Sequence, residues 1–388
     1  MRILVLHNRY RVGGGEDVVA AAEAALMRAR GHEVTLIEVD NHAIRGTIGA
    51  ARAAIGTAYN PSRRRWIARE VRRIRAEVVH VHNFFPLLSP AVLDGAADAG
   101  AAVVHTLHNY RTICAGATML RNGAVCEQCL DGSRWAAVRH RCYRGSLPGT
   151  LAVAAMQQTA QSLNLWDRPG RQLIALSRFA RDKLAQGGLP AARISVKPNF
   201  IDLPDTLRRK ARSGVVFAGR LGAEKGASVL IEAARLLPDI DFTLIGDGPE
   251  APRLRALAPG NARFAGALPR EQVRAAIAGA RLLAVPSLWY EGLPMTLLEA
   301  YAAGTPVVAS RIGALAEWVE DDATGILVEP GDASALAAAI RRAWDYPETT
   351  QAMGDAARVR AETLFSPGAA GMALEAIYGR ALAEIGRG

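Results

Sequence analysis

Short apolar runs that end in a turn and lead into a helical pattern recur down the chain, and they do so in two rounds. The first round holds Ile3–His7, His32–Val39, Val78–His82, Val103–Leu107, Gln172–Leu176 and Ile194–Lys197. The second restarts at Val215–Ala218 and continues through Phe242–Ile245, Arg263–Ala265, Leu282–Pro286, Pro306–Ser310 and Gly325–Val328. A short apolar run without polar alternation reads as a strand buried on both faces. Strands that alternate with helices build parallel sheets, because each connection must cross back over the sheet. The reading is therefore α/β, with two doubly wound, Rossmann-like sheets. At 388 residues, half of them hydrophobic, the chain is long enough for two domains with a core each. Residues 203–213 are polar, carry Pro204, and read as the linker.

No apolar run is long enough to cross a bilayer. The chain opens on a strand rather than on the apolar core and small-residue cleavage site of a secretory signal, so a cytoplasmic protein is expected. The net charge of +10 suits a polyanionic partner: a nucleotide diphosphate, anionic lipid headgroups or nucleic acid. No basic stretch is interleaved with aromatic residues as in single-strand binders, so no nucleic-acid partner is expected. Arg63–Ala76, RRRWIAREVRRIRA, reads as a basic amphipathic helix. It is either a patch for an anionic membrane or a lipid acceptor, or a core-packed helix with a solvated basic face.

Two stretches of the second round carry chemistry. Leu288–Gly304, LWYEGLPMTLLEAYAAG, reads as a turn and a helix following the Leu282–Pro286 strand. Glu291 lies in the turn and Glu299 in the second helical turn. Open N–H groups of Met295 to Leu297 at the helix start would make an anion site. Taken alone, a Glu-x7-Glu pair is better read as surface charge. The second stretch, Gly219-Arg220-Leu221-Gly222-Ala223-Glu224-Lys225-Gly226, follows the Val215–Ala218 strand. Two cations at the carboxyl end of a strand can clamp a diphosphate, Arg220 as a fork and Lys225 as a mobile point charge. The sequence offers no Asp-x-Asp triplet suited to a metal–diphosphate bridge. In the first round, Gly13-Gly14-Gly15 follows the first strand and lets a ligand approach the backbone, but the full dinucleotide fingerprint G-x-G-x-x-G is absent. That absence disfavours an NAD-dependent enzyme.

Together these stretches resemble the signatures of the retaining, nucleotide-sugar-dependent glycosyltransferases of family 4, which have the GT-B fold. The resemblance runs through nearly the whole chain. It implies an acceptor-binding domain over residues 1–200, a nucleotide-sugar domain over 201–365, and a C-terminal helix over 366–388 that returns to the first domain. It implies catalytic roles for Glu291, Lys225, Arg220 and His108. His108 stands where relatives carry a sugar-contacting His-Asp pair, and Asn109 replaces the acid. The donor would be held by Gly14, Gly15, Asn199, Gly292, Leu293, Pro294, Met295, Thr296 and Glu299, with Leu268 at the nucleobase. Phe200 stands where relatives show the glycine of Pro-Asn-Gly.

The implied activity is transfer of a hexose-type sugar from a UDP or GDP sugar to a saccharide or lipid-linked acceptor, without a catalytic metal. Cell-surface polysaccharide or glycolipid synthesis is the implied setting, with peripheral attachment to the inner membrane face. A same-fold epimerase or phosphorylase is the alternative. His80, His82 and His105 read as structural or acceptor-side. The four cysteines, Cys114, Cys126, Cys129 and Cys142, share the insertion 111–145 with spacing C-x11-C-x2-C-x12-C. Four such thiols suit a closed structural zinc site, while two disulfides or unbridged thiols remain open. Arg111, Arg121, Arg134, Arg139, Arg141 and Arg144 decorate the insertion, either for an anionic acceptor or as solvated surface.

Overall fold

A computed structural model of the chain describes residues 1–11, 13–131, 133–204 and 212–386. Most of the expected linker therefore lies outside the described residues. The chain divides into two compact units, Met1–Met119 with Glu127–Pro198 and Ala370–Gly388, and Leu120–Cys126 with Asn199–Ala369.

The sheet of the first unit is built from β1 (Arg2–Arg9), β2 (Glu33–Asp40), β3 (Val78–Asn83) and β4 (Ala102–Leu107). After an antiparallel hairpin, β5 (Leu120–Arg121) and β6 (Ala124–Val125), come β7 (Arg171–Ala175) and β8 (Ile194–Val196). The order is β2-β1-β3-β4-β7-β8, and every pairing is parallel. Every residue of β3, β4 and β7 is buried, as parallel strands covered on both faces must be. The polar residues on those strands, His80, His82, His105 and Arg171, must therefore find partners inside the protein.

From Ala370 onward the helix Pro367–Ala383 is an integral part of this unit. Leu374, Ile377, Tyr378 and Leu382 share one core with Ile3, Val5, Met27, Val78, Val104 and Ile174. Burying Leu374 and Ile377 alone contributes roughly 1.5–3 kcal/mol each. Arg30 adds an ion pair to Glu375 at 2.6 Å. The basic helix spans Pro61–Ile74: Asn60 caps it through Ser62 N at 3.1 Å, and Arg75 ends it at φ +55°. Ile67, Ala68 and Val71 are buried in the core, so the helix offers solvent its exposed arginines Arg65, Arg69 and Arg72 but no free apolar stripe.

The second unit holds β9 (Val215–Ala218), β10 (Phe242–Ile245), β11 (Ala262–Gly266), β12 (Leu282–Val285), β13 (Val307–Ser310) and β14 (Gly325–Val328). Its order is β11-β10-β9-β12-β13-β14, all parallel. This is the Rossmann order, and it reverses direction between β9 and β12. Ligands of such sheets bind outside the carboxyl ends of the strands at that reversal. Leu282 pairs with Val215 and Leu283 with Val216, so the loops after β9 and β12 leave the sheet side by side. Asp239-Ile240-Asp241 lies at the amino end of β10 instead: Val215 N donates to Asp241 O at 2.8 Å and Arg341 to Asp239 at 2.9 Å.

Candidate functional site

The loop after β9 is pinned to its neighbour. Gly219 N donates to Ile245 O and Leu221 N to Asp247 O, each at 2.9 Å. A turn of 3-10 helix, Ala223–Lys225, ends at Gly226 with φ +68°. A Cβ on Gly226 would stand 1.8 Å from Pro286 O, and one on Gly246, at φ +135°, 1.9 Å from Gly219 O. Only glycine lets these backbones approach so closely. Leu288 N then donates to Glu224 O at 2.9 Å, which ties the β9 loop to the β12 loop.

That packing joins two residues which the sequence suggested for separate tasks. Lys225 Nζ lies 2.8 Å from Glu291 Oε1 and 3.0 Å from Oε2, and 5.2 Å over the Trp289 ring. Glu291 is only 4% exposed, and Ser287 Oγ donates to it at 2.7 Å. A carboxylate so buried needs its cation. An ammonium has three donors, so Lys225 keeps one for an incoming anion. Arg220 is exposed and has no partner among the described residues.

The helix Met295–Ala303 follows Pro294, its N-cap. The expected row of open N–H groups is shorter than the spacing suggested, because Leu297 N donates to Pro294 O at 3.1 Å. Pro294 sits outside the first turn, where its carbonyl can accept a bond from within it. Met295 and Thr296 keep open N–H groups among the described residues. Asn199, buried, donates from Nδ2 to Leu293 O at 3.3 Å and so braces the Gly292–Pro294 turn. Glu299 is buried and accepts on Oε1 from Arg270 Nε at 3.1 Å and Arg274 Nε at 3.3 Å. Neither arginine stood out in the sequence. The signal was their spacing of one helical turn within Arg270–Gly279. Leu268 is half-buried in the turn after β11.

In the first unit, Gly14 caps the helix Gly15–Ala29, and its N–H donates to Asp17 Oδ2 at 2.8 Å. The Gly14 N–H is thus committed within the fold, where the sequence suggested it open to ligand. His7 Nε2 lies 2.7 Å from Asp17 Oδ1. His108 follows β4 and lines a small pocket with His82, His105, Asn109, Arg111 and Thr112. Its Nε2 lies 3.0 Å from His82 Nδ1. Burial, with His7 and Lys197 adding, holds the His108 imidazole well below the usual histidine range.

Asn109 Nδ2 donates to Glu16 Oε1 at 2.6 Å, while Glu16 Oε2 is enclosed without a hydrogen-bond partner. Desolvation pushes the Glu16 carboxyl up, against the pull of Asn109. An acid therefore stands beside position 109 after all, supplied by the first helix. His80 bonds Tyr378 OH and Thr106 Oγ1, both at 2.8 Å, which is a structural role. Glu23, His80 and His82 also gather ligand-type atoms within 4.8 Å. Lys197 Nζ already donates to Glu23 Oε1 and supplies the positive charge that a cation would bring.

None of the four cysteines is in a disulfide, and each is half-buried. A Cβ on Gly116 would stand 3.8 Å from Cys114 Sγ and 3.4 Å from Cys142 O. Of the insertion's arginines, Arg134 is no surface charge: it is buried and donates to Gln157 O at 3.1 Å and Gly187 O at 2.8 Å. Arg111 stacks on Phe85 at 4.4 Å.

Two family models match the chain, one described as Glycosyltransferase Family 4 over residues 12–204 and one as Glycosyl transferases group 1 over residues 202–360. Alpha-D-kanosaminyltransferase of Streptomyces kanamyceticus is 28% identical over 333 residues, covering 81% of this chain and 80% of that protein. The amylovoran biosynthesis glycosyltransferase AmsK of Erwinia amylovora is 33% identical over 214 residues, 50% of this chain and 52% of that protein. That second match spans about half of its relative's length. The structure of HepE from Anabaena in complex with UDP is similar at a TM-score of 0.68 and 18% identity, covering 98% of this chain and 100% of that chain.

Proposed function

Because the chain belongs to the group 1 glycosyltransferases of family 4 and has their GT-B fold, we propose that it moves a hexose-type sugar from a UDP or GDP sugar to a saccharide or lipid-linked acceptor, with retention at the anomeric carbon. The observation that carries this reading is the Lys225–Glu291 pair at the reversal point of the second sheet, flanked by Arg220 and the open N–H groups of Met295 and Thr296. Fixed positive groups placed where charge builds on a departing diphosphate are the largest catalytic term that such a site can supply. Glu291 would bond the donor sugar and steady its developing positive charge, and its partner Lys225 would turn its remaining donor to the diphosphate. Glu299 would bond the ribose hydroxyls, held in place by Arg270 and Arg274. Leu268 would face the nucleobase. His108 and the Gly14–Gly15 turn would serve the transferred sugar and the acceptor.

The Arg220–Lys225 clamp would stand in for a catalytic metal. Support comes from the placement of Asp239 and Asp241, which lie at the sheet end away from the clamp. Capture of UDP by the similar HepE supports a uridine donor. Polysaccharide synthesis is supported by AmsK, and a lipid-linked acceptor at an anionic membrane by the exposed arginines of Pro61–Ile74. Among the described residues the cysteines of the insertion 111–145 do not form a group with metal-ligand spacing, so no zinc ion is proposed for them.

A thermal-shift screen against UDP-, GDP- and ADP-sugars tests the donor. One nucleotide class is expected to stabilise the protein. Stabilisation by none, or hydrolysis and rearrangement of the sugar without any acceptor, would count against transfer.

A further inference from the structure

Behind His108 runs a chain of buried groups that sugar transfer does not by itself require. Lys197 and Glu23, each 1% exposed, are ion-paired through Glu23 Oε1. Glu23 Oε2 lies at ion-pair distance, 3.5 Å, from His82 Nε2, and neither atom has a hydrogen-bond partner. His82 Nδ1 lies 3.0 Å from His108 Nε2, with the rings stacked at 5.3 Å and 21°. Of these four residues His108 alone is half-buried, and it lines the pocket described above.

The position of each proton follows from this order. Glu23 Oε1 accepts from Lys197 Nζ, and a bare His82 Nε2 facing the other oxygen, Oε2, would set lone pair against lone pair. A proton on Nε2 makes that contact attractive. A neutral imidazole carries one proton, so His82 Nδ1 is then an acceptor. The close contact to His108 then needs the proton on His108 Nε2, and His108 Nδ1 is left bare. We infer that Lys197, Glu23 and His82 are positioning residues that lock His108 in the tautomer protonated on Nε2, so that Nδ1 presents a lone pair to the pocket.

His80 Nδ1 also faces Glu23 Oε2, at 3.7 Å, but its nearer contact is Tyr378 OH at 2.8 Å. His7 is bonded to Asp17, and His80 to Tyr378 and Thr106. His105 lines the same pocket. Burial, with His80 and His108 adding, holds His82 well below the usual range, so the ring is neutral at pH 7. The consequence, which rests on the transferase reading above, concerns specificity. A fixed acceptor receives a sugar hydroxyl and repels a carboxylate, so a neutral hexose is favoured over a uronic acid at the position His108 touches.

The test is the 15N spectrum of the ligand-free full chain labelled on histidine, at pH 7, where bare and protonated ring nitrogens are resolved. His108 is expected with Nε2 protonated and Nδ1 bare. In Lys197→Met/Glu23→Gln both charges leave together, so no lone charge stays buried, and the single tautomer is expected to be lost. His82→Phe, which buries no charge either, is expected to lose it as well. A wild-type His108 protonated on Nδ1, or on both nitrogens, would overturn the inference. So would an unchanged single tautomer in both variants, with the His32 and His42 signals in place to show a folded unit. His108→Ala separates the two readings: full transfer activity there would remove the sugar contact while leaving the tautomer assignment standing.

Discussion

Lowering the pH from 7 to 5 should weaken the first unit and spare the second. All eight histidines lie at or before residue 140, and none falls in the second unit. Burial pushes His80 and His105 down to about 3 from 6.5, with Lys197 adding at His80 and His80 itself adding at His105. Both rings stay bare in the fold at pH 5, while the unfolded chain protonates them. Stability from such groups is complete above pH 6.5 and falls as pH drops toward 3. One pH unit is worth about 1.4 kcal/mol per group. At pH 5 each ring therefore costs about 2 kcal/mol, and the two together about 4 kcal/mol.

His82 and His108 shift in the same direction and add to this. The raised Glu16 carboxyl works the other way and returns part of the loss as pH falls. Glu375, held down to about 2 by Arg30 and His32, loses its contribution only below 4.5 and stays out of the window. About 4 kcal/mol is a large share of the roughly 5–15 kcal/mol that holds a domain folded. Native-state hydrogen exchange read by mass spectrometry follows the two units separately. Peptides from β3 and β4 should lose opening free energy by that amount after correction for intrinsic exchange, while those from β9, β12 and β13 should not. Equal losses in both units, or none in β3 and β4, would refute the neutral-histidine core.

Two further outcomes concern the second unit. Lys225→Ala and Glu291→Ala should each cut turnover at least roughly 100-fold, the scale of one lost charge-stabilising group. Near-normal initial rates in either variant would exclude the roles given. Replacing Arg270 and Arg274 together by alanine should raise the KM for the donor with little change in kcat, since they steady Glu299 rather than meet the reacting atoms. Steady-state kinetics with the donor found in the thermal-shift screen would show this, and an unchanged KM would make those ion pairs merely structural.

The sheets were legible because buried parallel strands are short, mainly apolar runs: Leu282–Val285 is wholly apolar, and Val78–Asn83 and Ala102–Leu107 keep their valines and leucine around His80, His82 and His105. The glycine turns were legible too, since Gly226 occupies a backbone conformation and a space closed to other residues. Pairing was harder to read. Lys225 and Glu291 are 66 positions apart, and Lys197 and Glu23 are 174 apart. No local pattern announces such partners; sheet order brings them together. Arg134 looked like surface charge because its acceptors, Gln157 O and Gly187 O, are carbonyls, which leave no mark in a sequence. The open helix start was overstated at Leu297 for the same reason: a carbonyl of Pro294 takes its N–H.

The central claim is that Lys225, Arg220 and the Met295–Thr296 helix start catch a diphosphate without help from a cation in solution. Calorimetric titration of UDP and GDP into the full chain, in buffer with EDTA, tests it most directly. One of the two should bind with the chelator present and bind at least roughly tenfold more weakly to Lys225→Ala, the loss expected for one charge-assisted contact. Binding that appears only after magnesium or manganese is added, or that is unchanged in Lys225→Ala, would contradict it.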